Sequence, residues 1–182
     1  MSYITQKKIA NSCKNLIVTT SVDDVNVTEI MKNIHMRRQT FYNFFLDKYD
    51  AIVWIYNDEL TEIIDDNLDY EKWQNIMKLL CKYFFNNRLF FQKVLHHTTQ
   101  VDLAHKTIEK HFQNLVQLIF NDKNCQLDSE RLTFNIEFLA DSLLVQLDSW
   151  ISTDNPRSVE KEVILLTSFL EDTVAGFKIN HK

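Results

Sequence analysis

The side chains best suited to chemistry in this sequence cluster between residues 28 and 48. Arg37, Arg38, Gln39 and Thr40 are consecutive, Tyr42 and Asn43 follow, and Thr28 and Lys48 flank them. No nucleophile stands beside a base here; these are hydrogen-bonding and charged groups. Arginine can meet O6 and N7 of guanine with two donors, and glutamine can bind adenine in the same two-point way. Tyr42, Asn43, Thr28 and Lys48 suit phosphate oxygens, which fix register and carry no sequence information. The chemistry these residue types offer is recognition of double-stranded operator DNA, with no catalytic residue.

A second set lies further along. His96 and His97 are adjacent, His105 has Asp102 three before it and Glu109 four after it, and His111 follows. On a helix, Asp102, His105 and Glu109 share a face. With His97 they offer imidazole and carboxylate ligands to Zn²⁺. The same residues also read as a solvated face with i,i+4 pairs. No cysteine stands at ligand spacing: Cys13, Cys81 and Cys125 are far apart, with no C-x-x-C. A di-iron helical bundle wants Glu-x-x-His from two helices; this chain has one Asp-x-x-His, Asp102 to His105. A single glycine, Gly176, and a single proline, Pro156, exclude glycine-built phosphate loops, dinucleotide fingerprints and nucleophile elbows. The reading is therefore a non-enzyme without cofactor, with a metal-responsive regulator as the alternative.

The elements that must position these groups are helices. Hairpins and sandwiches need turn residues that are missing here, and 182 residues at 45% hydrophobic can build a packed core. The expected helices are Thr5 to Thr20, Val27 to Asn33, Arg38 to Phe45, Lys48 to Asp65, Leu68 to Asn87, Arg88 to about Thr98, Val101 to Asn121, Ser129 to Ser152 and Ser158 to Phe177. Apolar residues recur at three-four spacing in each long one, such as Ile9, Cys13, Leu16 and Ile17 in the first. Asp47, Asp128 and Ser158 (or Asn155) are the expected N-caps of the fourth, eighth and ninth helices. A short helix, a turn at Ile34 to Arg37 and a second helix with a polar leading edge make a helix-turn-helix.

Charge divides the chain. Residues 1–50 carry seven Lys/Arg against five acids, a balance of +2, and the rest carry thirteen against twenty, a balance of -7. A basic head on an acidic body suits a DNA reader with a separate regulatory part. The expected fold is all-α, with a three-helix DNA-binding head at 1–48 and a helical regulatory and dimerisation bundle at 49–182. The last two helices have apolar stripes wider than one packed face needs, which predicts a homodimer through Leu139, Leu143, Leu147, Trp150, Val163, Leu166 and Leu170. The chain starts without a signal-peptide apolar run. Nor does any stretch approach the ~18 apolar residues of a membrane span, so a soluble cytoplasmic protein without membrane partner is expected. A non-DNA-binding interaction module, using the acidic, aromatic-rich body, is the remaining alternative.

Val25, Val27, Ile30, Met36, Thr40, Phe41, Tyr42, Phe45, Lys48 and Asp50 fall in the N-terminal pattern of the TetR family of bacterial regulators, which this chain resembles over about residues 5–52. It departs from that pattern at His35, where glycine is usual and where a histidine can adopt left-handed geometry at some cost, and at Arg37, where a small capping residue is usual. The strings R-R-Q-T-F-Y-N, D-Y-x-x-W-Q-N at Asp69 to Asn75 and F-F-Q-K-V at Phe90 to Val94 are similar to a narrower group, the dihydroxyacetone kinase operon regulators. That resemblance implies an activator sensing a small-molecule effector or a kinase-like protein partner.

Overall fold

The computed structural model describes residues 2–95, 97 and 101–179, the side chains of 101–104, 178 and 179 excepted. Among the described residues there are nine α-helices and no strand. They are α1 Tyr3–Thr19, α2 Val27–Asn33, α3 Arg38–Phe41, α4 Lys48–Ile63, α5 Trp73–Asn86, α6 Arg88–Leu95, α7 Val101–Asp122, α8 Ser129–Ser152 and α9 Val159–Ile179, with a 3-10 turn at Asp65–Asn67. None is long and apolar enough to cross a membrane.

Caps set where several of these helices begin. Asp47 Oδ1 accepts from the amides of Tyr49 and Asp50 at 2.8 and 2.9 Å, and Asp50 in turn accepts from Leu46 N at 2.9 Å. This reciprocal arrangement of the capping-box kind starts α4. Asp128 accepts from Arg131 N at 3.0 Å, and Ser158 Oγ from Lys161 N at 3.3 Å. Asn67 Nδ2 donates to the carbonyls of Glu62 and Ile63 and ends α4 before the expected Asp65. The chain then turns through the 3-10 segment, so α5 starts at Trp73 rather than Leu68.

The chain packs as two units. The first runs through Glu59 and takes in residues from Leu89 to Thr107, so α6 belongs with the head helices. That grouping reaches beyond the boundary expected at residue 48. Its cause is visible in the packing: Tyr56 of α4 lies against the rings of Phe90 and Phe91 at 5.6 Å, and Lys14 of α1 is paired with Glu59 at 2.6 Å. The core of this unit holds Ile9, Cys13, Ile17, Ile30, Met31, Phe41, Phe45 and Ile52.

The second unit holds residues 60–88 and 108–182. Its α5 packs on α8 and α9, with Trp73, Ile76, Met77, Leu80 and Phe84 fully inside. His111 is buried there, with Nδ1 2.7 Å from Asp65 Oδ2, while Asn114 Nδ2 donates to Asp65 Oδ1 at 2.9 Å. Burial raises the thiols of Cys13 in the first unit and Cys81 in the second to about 12. Both are therefore inert core thiols, since the thiolate is the reactive and metal-binding form.

Candidate nucleic-acid interface

Three helices in the first unit hold the recognition residues. Ser12 of α1 is buried and donates to Ile30 O at 2.8 Å, and Asn33 Nδ2 donates to Ser12 Oγ at 3.1 Å, which ties α2 to α1. Asn26 caps α2 by accepting from Glu29 N at 3.0 Å. Thr28 then stands exposed in the first turn of α2, where the amides of a helix N-terminus favour an anion.

The turn into α3 contains one left-handed residue. His35 has φ 55° and is exposed. Arg37 occupies the N-cap position of α3 with extended backbone and no side-chain cap bond, so its guanidinium points out instead of bonding its own helix. Arg38 and Gln39 are exposed beside it, Thr40 is half-buried, and Tyr42 and Asn43 are exposed. Arg38 Nη2 donates to Tyr42 Oη at 2.9 Å, with the guanidinium over the ring at 5.6 Å. Arginine has five donors, so this contact leaves most of the fork for another partner. Phe41 is fully buried beneath this row and touches Phe45, ring centroids 5.5 Å apart.

Two expectations need correction here. The recognition helix is one turn, Arg38–Phe41, and does not reach Phe45. After Phe41, the amides of Asn43 and Phe44 bond three residues back, to Thr40 and Phe41, because the chain must reverse before the Asp47 cap fixes the start of α4. Lys48, an expected phosphate contact, turns inward. Its Nζ donates to the carbonyls of Val22 at 2.6 Å, Asp23 at 2.9 Å and Val25 at 2.9 Å. An ammonium has three donors, and all three are used, so Lys48 braces the α1–α2 link and is not a phosphate contact in this arrangement.

The metal alternative gains no support. The side chain of Asp102 lies outside the described residues, and among the described residues no group of three His, Cys, Asp or Glu could hold an ion. His97 Nε2 sits 2.9 Å from Asp23 Oδ1 instead, while His105 and Glu109 lie on α7.

The expected dimer residues lie largely inside their own chain. Leu139, Leu143, Leu147, Trp150, Leu166 and Leu170 are buried within their own chain, and Val163 is half-buried. Trp150 shows why: its ring stacks on Phe85 at 5.7 Å and its Nε1 donates to Arg157 O. The apolar residues of α8 and α9 that remain outside are Phe134, Phe138, Val145, Ile164, Leu165 and Phe169. Of these, Leu165 and Phe169 border a groove of ≈ 330 Å³ floored by Leu139, Leu143, Leu166 and Leu170. At its end, Glu162 is 1% exposed and accepts from Arg157 Nε at 2.7 Å and Gln146 Nε2 at 3.0 Å. The apolar stripes divide into an inward set and an outward set, and spacing alone does not say which residues fall in which.

The strain at His35 leads to a prediction. Glycine reaches positive φ without the Cβ clash. His35→Gly is therefore expected to raise stability by about 0.5–1 kcal/mol after its greater unfolded-state entropy is deducted. Thermal melts decide it; a lower melting temperature means that His35 makes contacts worth more than the strain.

Comparison with known proteins agrees with this layout. The TetR family model described as "Transcriptional regulator C-terminal region" matches residues 71–172. The HTH-type dhaKLM operon transcriptional activator DhaS of Lactococcus lactis subsp. lactis (strain IL1403) is 41% identical over 93 residues, 51% of this chain and 50% of that protein. The match thus spans about half the length of that curated relative. A solved structure of the dihydroxyacetone kinase operon activator DhaS superposes with a TM-score of 0.81 and 28% identity, covering 96% of this chain and 98% of the other. The fatty acid degradation regulator FadR from Bacillus halodurans shares the fold, with a TM-score of 0.67 at 12% identity over 93% and 96% of the two chains. With the family's C-terminal region spanning more than half of its length, behind a helix-turn-helix whose polar edge faces outward, this chain belongs to the TetR family of DNA-binding transcriptional regulators and is not an enzyme.

Proposed function

We propose that this regulator reads a two-fold operator as a homodimer, with α1–α3 (residues 1–48) as reading head and the remainder as regulatory and dimerising part. Arg37, Arg38 and Gln39 meet base edges, and Thr28, Thr40, Tyr42 and Asn43 hold phosphate or neighbouring groups. The observation that carries this reading is the exposed row Arg37, Arg38 and Gln39 fixed over a fully buried Phe41. A polar row on a rigid apolar base is what base readout needs. Family members bind operator DNA and typically act as dimers. The exposed apolar residues of α8 and α9 supply a face for a second copy, and two heads fit two half-sites one DNA turn apart.

The regulated genes are proposed to be those of dihydroxyacetone or glycerol metabolism, since the 41% identical relative is an activator of a dhaKLM operon. Control comes from a small metabolite or a kinase-like protein that binds one arrangement of the regulator better than the other; that differential affinity sets the size of the switch.

Selection from a random duplex library tests the reading. Enriched sequences should contain two inverted half-sites with centres about 34 Å apart, and binding should weaken steeply with salt. A library with no enrichment and no salt-dependent binding replaces this reading with a protein-interaction module. With the selected operator in hand, Arg37→Ala and Arg38→Ala should each weaken specific binding by about 1–3 kcal/mol. Both side chains are exposed, so melting should not change. Equal operator affinity in both variants removes the turn from base readout.

A further inference from the structure

The link between α1 and α2 is held by lysines from two other helices. Lys48 of α4 takes the carbonyls of Val22, Asp23 and Val25. Lys93 of α6 donates to the carbonyls of Val18 at 2.8 Å and Thr20 at 2.5 Å. The two ammoniums thus occupy five carbonyls within eight residues. Val18 and Thr20 lie at the carbonyl end of α1, where the unpaired C=O groups carry partial negative charge and favour a cation. His97, just beyond α6, adds its contact to Asp23 of the same link. Inside the link, Val22 and Val25 are buried, and Ser21 Oγ donates to Asp24 Oδ2 at 2.7 Å. Next comes Asn26, the cap of α2, then Thr28.

We propose that Lys93 is a positioning residue for DNA reading: by capping the carbonyl end of α1 from α6, it fixes the path of the α1–α2 link and so the place at which the N-terminus of α2 meets the DNA backbone. This rests on the operator-reading proposal. Lys48 and His97 hold the second half of the link, Val22 to Val25. Without Lys93 the first half, Val18 to Ser21, loses its cation, and its carbonyls turn to water. The link can then shift about its Lys48 anchor and move the Asn26 cap and first turn of α2, while the Ser12 tie holds the rest of α2 on α1 and Phe41 keeps the α3 row on its core. Arginine keeps the charge and the donors, so it should keep the cap. Methionine keeps the apolar stem and loses both.

The test compares Lys93→Met and Lys93→Arg in the full chain by amide hydrogen exchange and by binding to the selected operator duplex. In Lys93→Met, exchange of the amides from Ser21 to Ile30 should rise several-fold while that of Phe45 and of α8 stays at the wild-type rate. Specific affinity should fall about tenfold, the scale of a lost charge-assisted hydrogen bond. Lys93→Arg should keep both wild-type values. The salt dependence of generic duplex binding should not change, because Lys93 neutralises no phosphate. Unchanged exchange at residues 21–30 overturns the proposal, as does a uniform rise across the whole chain that arginine does not reverse. If no duplex binds even the wild type, the operator reading fails by itself. The exchange pattern still decides whether Lys93 holds the link.

Discussion

Phe41→Ala is expected to lower the stability of the head by about 3–5 kcal/mol and to abolish operator binding as a consequence. Phe41 is fully buried, with Tyr42 edge-on at 5.5 Å and Phe45 tilted against it at the same distance. α3 is one turn long, far too short to hold itself in water. Its position depends on this ring. Truncation leaves a cavity under the recognition turn, and a domain's whole stability is of the order of 5–15 kcal/mol. Urea unfolding and amide exchange read the loss directly, with the exchange of α1 and α2 amides rising alongside that of Phe44 and Phe45. The contrast with Arg37→Ala and Arg38→Ala is the informative part: those variants lose DNA and keep the fold. If Phe41→Ala unfolds within 1 kcal/mol of the wild type, the ring is not the anchor of the recognition turn.

Phe41 also marks what the sequence makes legible. Local rules place most helices well. Val27–Asn33 and Ser129–Ser152 have the expected ends, and Asp47, Asp128 and Ser158 cap as their positions before apolar periodic runs require. The left-handed His35 is signalled by the family resemblance, whose pattern has glycine at that turn position, and not by the local residues. Less legible is whatever depends on residues distant in sequence. Lys48 looks like a phosphate ligand because it is a cation near a helix start. It turns inward because the carbonyls of Val22, Asp23 and Val25, more than twenty residues earlier, converge on it. Lys93 carries no periodic signal at all; its role exists only because α6 packs in the first unit. The end of α3 depends on how little chain is left before the Asp47 cap, and a stripe that continues to Phe45 does not reveal that. In each case the residue type is right for its chemistry and the partner is set by tertiary packing.

The same difficulty decides the last prediction, since α8 and α9 are apolar on several sides. Phe138→Asp and Phe169→Asp are expected to give folded monomers, whereas Leu143→Asp is expected to unfold the second unit. Phe138 is 60% exposed and stacks on the neighbouring Phe134 at 6.1 Å, and Phe169 is 56% exposed. In a single chain a carboxylate at either position stays in water and costs little. In a two-fold dimer each substitution enters the interface twice, and each unpaired charge taken out of water costs several kcal/mol. That is enough to push dissociation from nanomolar to well above micromolar. Leu143 is 3% exposed on the floor of the α8–α9 groove, so an aspartate there is buried with or without a partner. Sedimentation at micromolar concentration, run beside thermal melts, separates the three variants. A monomeric Phe138→Asp with a wild-type melt should also lose affinity for the two-half-site operator while keeping that for one half-site. If Phe138→Asp and Phe169→Asp both sediment as dimers, the outward aromatic face does not join the copies. If Leu143→Asp instead gives a folded monomer, the groove floor opens on association, and the partner reaches deeper between α8 and α9 than the exposed ring edges.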